Sequence, residues 1–240
     1  GTATMLGLIS GSGAATKTGS GTLALSGANT YGSMTISEGT LFARNNSALG
    51  AGGATISSGA ALELDDTITL SNAIALAVGS ETLTVSTGTG TISGLISGSG
   101  NVVKTGSGTL ALSNTNTFST LRVSDGEISA LLSGALGSGL VTFAADSALS
   151  MAGSLDITNQ MTIESGTATF SIASGSSTLS GNIEGSGFLD KGGAGTLSFS
   201  GDNQFSGLNV VAGEVIAESL NALGQGTVTL SDSVTLGVGN

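Results

Sequence analysis

The 240-residue sequence predicts an all-β chain wound as a β-solenoid, short strands stacked coil upon coil, and three observations carry that prediction. The chain has an 87-residue internal period: Lys17-Thr18-Gly19-Ser20-Gly21-Thr22-Leu23-Ala24-Leu25-Ser26 returns letter for letter as Lys104–Ser113 and, loosened, as Lys191–Ser200. Its apolar residues alternate at period two in runs of three to five, bounded by Gly, Ser or Asn, with no sustained helical stripe. Finally, Gly numbers 41 and Pro is absent, as suits a stack in which every strand residue must donate its N–H to a neighbouring coil.

The period fixes the landmarks. Each lysine is followed by a strand opened by Gly21, Gly108 or Gly195, with Leu23 and Leu25, Leu110 and Leu112, or Leu197 and Phe199 at alternate positions. Asn29, Asn116 and Asn203 come next, then Tyr31, Phe118 and Phe205 two residues on. Gly39, Gly126 and Gly213 keep the same step, as do Ala48-Leu49-Gly50, Ala135-Leu136-Gly137 and Ala222-Leu223-Gly224. The units are 1–87, 88–174 and 175–240, the last incomplete, so the expectation is one solenoid segment of a longer protein.

Within the first unit the strand signals run Thr22–Leu25, Met34–Ile36, Thr40–Phe42, Ala54–Ile56, Leu62–Leu64, Ile68–Leu70, Ile74–Leu76 and Leu83–Val85. Strands this short need neighbours above and below. Glycines before strand starts fall at Gly21, Gly39, Gly59, Gly79 and Gly108. Their spacing predicts about four coils per unit, about eleven in the chain, and a rod ~50 Å long at ~4.8 Å per coil.

Composition narrows the function. With 16 Asp+Glu against 5 Lys+Arg, the net charge is −11, and the cations are scattered singly, which excludes nucleic acid as a partner. The longest apolar run, Ala73–Val78, is far below the ~20 residues a membrane-crossing helix needs, so this segment is not expected to insert in a membrane. Without His the commonest general base is missing, and without Cys there is no thiol chemistry. No catalytic, metal or cofactor residues are assigned, and the chain reads as a non-enzyme.

Recurring polar residues read as surface features. Lys17, Lys104 and Lys191 are expected to be solvated at coil bends, too far apart to form a binding row. Asn29, Asn116 and Asn203 are expected to be bend residues tolerating positive φ. Glu63, Asp65 and Asp66 form the densest acidic cluster, but their counterparts one period on are Ser150, Ala152 and Gly153, so they read as solvated surface.

The run Gly19-Ser20-Gly21-Thr22-Leu23-Ala24-Leu25-Ser26-Gly27-Ala28-Asn29-Thr30-Tyr31, followed by Gly39-Thr40-Leu41 and Ala48-Leu49-Gly50, resembles the autotransporter-associated β-strand repeat, or passenger-associated transport repeat, of bacterial autotransporter passengers. The resemblance covers about 35 residues of each unit and weakens at Asn114, Glu127-Ile128, Asp202 and Gln204. It implies a right-handed parallel β-helix in a secreted passenger presented at the cell surface, and brings no catalytic residues. The function expected is a stalk or a self-associating surface filament, joined end to end or laterally. The alternatives are an adhesin recognising glycans or host proteins on a lateral face, near a long bend at 87–108, and a polysaccharide-degrading enzyme.

Overall fold

The computed structural model describes residues 1–239. Every regular element among them is a strand, twenty-nine in all between Thr2 and Val238, and the strands pair in parallel as a β-solenoid of about twelve turns. The strand signals of the first unit all fall on strands, the one at Ile68–Leu70 shortened to Thr69–Leu70, and two further strands, Thr2–Met5 and Ala14–Lys17, precede them.

The strands form columns. A ten-stranded sheet runs from Thr2–Met5 to Ile183–Glu184 and makes the first face; a nine-stranded sheet from Thr69–Leu70 to Thr227–Leu230 makes the second. Two five-stranded sheets, Ala14–Lys17 to Ile96–Gly98 and Asp156–Ile157 to Thr235–Val238, share the third. Between those two, Thr117 N donates to Ile96 O, Asn116 N donates to Gly134 O, and Asp156 N donates to Ser133 Oγ, so the face continues without regular strands. The coil through Ser80–Val85, Thr89–Ile92 and Ile96–Gly98 shows all three faces in sequence before Asn101–Thr105 rejoins the first.

The register refines the expected four coils per unit. From Lys17, successive partners on the third face are Ile36, Ile56, Leu76 and Gly98. Lys104 lies six residues beyond Gly98, on the first face. A walk from Val103 passes Arg122, Thr142, Thr162 and Glu184, and Asp190 again lies six residues further, on the second face. One unit therefore spans four coils and about a third of another, and each unit is turned by one face relative to the last. The segment Gly79–Gly108, the longest of the glycine intervals, contains the extra third.

This turn explains the sheet boundaries. The stretch from each recurring asparagine to its Ala-Leu-Gly has no regular strand on its face, and it meets a different face in each unit. In unit one it precedes the second sheet, whose first strand donates from Thr69 N to Asn46 Oδ1. In unit two it splits the third face, and in unit three it follows the last strand of the first, where Gln204 N donates to Ile183 O.

Alternation sends one side chain of each pair inward, and the register stacks these in files. Leu41, Leu62, Leu83, Lys104, Val123, Phe143 and Ile163 lie in one file, buried throughout. Each buried aliphatic side chain contributes about 1.5–3 kcal/mol. Between files, the Phe143 and Phe170 rings meet at 4.8 Å with a 59° tilt. The expected long bend at 87–108 is instead three strands, Thr89–Ile92, Ile96–Gly98 and Asn101–Thr105, each within a sheet.

Candidate functional site

The recurring polar residues lie inside the rod, which overturns two expectations. Lys17 is 6% exposed and Lys104 and Lys191 are 0% exposed. Alternation along Asn101–Thr105 puts Lys104 on the same inward side as Val102, where its aliphatic stem continues the core file and its ammonium reaches a bend. Lys17 Nζ donates to the carbonyls of Thr18 (3.1 Å), Gly19 (2.6 Å) and Glu38 (2.9 Å). Lys104 donates to Gly106 (2.7 Å) and Asp125 (2.9 Å), and Lys191 to Gly193 (2.7 Å), Gly195 (2.5 Å) and Ala212 (2.9 Å).

Each cage joins two coils: one carbonyl comes from the glycine two residues after the lysine, another from the next coil. Those glycines, Gly19, Gly106 and Gly193, have φ of 72°, 78° and 73°, a left-handed conformation that turns their carbonyls toward the ammonium. Burial pulls the Lys104 pKa down to about 8, opposed by the Asp125 and Glu127 carboxylates, and lowers that of Lys191 against Glu214.

The asparagines are clips rather than bends. Asn29 accepts from Ile9 N (2.9 Å) one coil back and donates to Ala48 O (3.1 Å) one coil on. Asn116 does the same between Ile96 and Ala135 (2.8 and 2.7 Å), and Asn203 between Ile183 and Ala222 (2.8 and 2.6 Å). None of the three has positive φ. Each side chain replaces a backbone ladder where regular strands are missing, so three coils are tied by one residue.

The Ala-Leu-Gly landmark completes the clip: the alanine carbonyl receives the asparagine, and Gly50, Gly137 and Gly224, at φ near 80°, pack on Tyr31, Phe118 and Phe205. A Cβ at any of these glycines would overlap the ring. The Tyr31 hydroxyl also donates to Ala48 O (2.6 Å), and burial pushes its pKa up to about 12. Asn72 and Asn159, one period apart and passed over in the sequence, each donate to two glycine carbonyls: Gly50 and Gly52, and Gly137 and Gly139.

The recurring glycines Gly21, Gly108 and Gly195 lie against backbone of the preceding coil, and Gly39, Gly126 and Gly213 lie in the bends beside the lysine cages. Leu25, Leu110, Leu112, Leu197 and Phe199 are buried, and Leu23 is half-buried against the core. The acidic cluster is divided: Glu63 receives Ser86 Oγ (2.8 Å), Asp65 pairs with Arg44 (3.1 Å), and Asp66 receives Thr89 N (2.9 Å). What recurs is therefore internal hardware, and its chemistry is spent on backbone.

No curated protein and no solved structure matches the chain. The family model described as passenger-associated-transport-repeat matches at residues 16–41, 102–129 and 189–217, stretches that each contain one lysine cage and one of the recurring asparagines. The family model thus matches three times, once in each unit.

Proposed function

We propose that this chain is a non-catalytic structural segment of a bacterial passenger displayed outside the cell. Its work is mechanical: a stalk holding other regions away from the surface, or a filament formed with further copies. One observation carries this reading. The polar residues that recur in every unit are buried and bonded to main chain, so the repeated feature is a means of stacking coils rather than a solvent-facing site. The turn of one face per unit supports reach over lateral recognition, since equivalent surfaces point in three directions.

Deleting 88–174 in the displayed parent tests the stalk. Homologous joints should reclose, and a distal epitope should approach the cell by about 21 Å, four and a third coils at ~4.8 Å. An unchanged height refutes the stalk. The filament reading predicts concentration-dependent light scattering, and strictly monomeric behaviour refutes it. The adhesin reading predicts face-specific glycan or protein binding abolished by an outward substitution, and the enzyme reading predicts polysaccharide turnover.

A further inference from the structure

Glu81 is the one carboxylate among the described residues that is both fully buried and without a hydrogen-bond partner on either oxygen. It is the second residue of the strand Ser80–Val85, opposite Val102, and alternation sends it inward with Leu83 and Val85. The backbone around it is fastened on both sides: Gly59 N donates to Ser80 O, Thr82 N to Ala60 O, and Asn101 N to Gly79 O. The side chain is thus held in the wall, with one carboxyl oxygen against Gly100 beside Ala77 O, where no Cβ would fit.

No counter-charge faces it. On the preceding strand, Ala61–Leu64, Glu63 points outward to Ser86; on the following strand, Lys104 is inward but its ammonium is occupied by the carbonyls of Gly106 and Asp125. The bend 77–79, Gly100 and the strand Thr109–Leu112 bring no ionisable group. Nor is the acid needed to fill space, because one period on the same inward position is Ala168, also fully buried. A buried carboxylate without partners costs several kcal/mol. Desolvation accordingly raises the Glu81 pKa, against a smaller lowering by its own backbone N–H, which meets neither oxygen in hydrogen-bond geometry.

We propose that Glu81 is a proton-operated latch: as the neutral acid it lies within the wall and its coil stays closed, and as the carboxylate it is expelled, loosening the ladder between Ser80–Val85 and Asn101–Thr105. The proton passes to solvent and no covalent bond changes. The sign follows from linkage. The folded pKa is raised, so the closed coil is fully stable below the ordinary carboxylate range and loses stability as pH climbs to the raised value. The rod thereby has a joint whose stiffness depends on pH.

Amide exchange of the whole chain between pH 4 and 8, corrected for intrinsic rates, tests this. Amides of Asn101 and Val103, which face Ser80–Val85 across that ladder, should open about tenfold more per pH unit across the interval between the two pKa values. In Glu81→Ala and Glu81→Gln the same amides should be pH-independent, and in all three proteins the distant strands Thr196–Phe199 and Glu214–Ala217 should not respond. Parallel pH responses in wild type and variants would overturn the latch, as would a neutral variant less protected than wild type at pH 8. Should Glu81→Ala fail to fold, Glu81→Gln keeps shape without the charge and carries the test.

Discussion

Asn116 ties three coils with one side chain, and truncating it strands an Ile96 N–H and an Ala135 C=O away from water. Each unpaired buried group costs about 1–3 kcal/mol. Asn116→Ala should therefore lower stability to urea by that order, well beyond Asn114→Ala, whose half-buried side chain holds a single bond to Ser93 O. Lys104 offers a second measurement. Resonances of its Nζ should titrate near pH 8 rather than at the ordinary lysine value of about 10.4. Because its folded pKa is lowered, the unfolded chain binds more protons between those values, so its contribution to stability should rise with pH across that window. Alkaline denaturation midpoints that ignore Lys104→Met would contradict this.

At the scale of the element, the bends are as informative as the strands. Gly59 has φ of 77° with open space where a Cβ would go, whereas Gly137 has φ of 80° against the Phe118 ring. Gly59→Ala should cost about 1–2 kcal/mol of left-handed strain. Gly137→Ala should add about 1–3 kcal/mol of overpacking, a difference that thermal melting resolves. Strands were legible because period-two alternation needs only near neighbours, and every strand expected in the first unit has a counterpart in the structure. The polar hardware was not. A lysine bounded by small polar residues, as in Ala15-Thr16-Lys17-Thr18, has no local mark of burial, and its cage is completed by a carbonyl 21 residues away. The joint recurrence of the lysine with glycines 2 and 22 residues later was the available signal. Glu81 carried one, its period-two phase with Leu83 and Val85, which puts an acid on the inward side of Ser80–Val85.

For the whole molecule, stability is distributed along the rod, because each coil bonds mainly to the next. Excising 88–174 from the chain should leave a β-rich circular dichroism spectrum and shorten the particle by about 21 Å in solution scattering. Loss of the folded spectrum would show that the three units are not interchangeable.

The odd third of a coil has a geometric outcome of its own. Unit and turn are incommensurate, like the two scales of a vernier, and they realign only after three units, which is thirteen turns or about 62 Å of axis. A longer array built on this step would show any straight-line observer the same motif at that wide spacing, while the weak places in its three sheets follow a spiral and never line up along one seam.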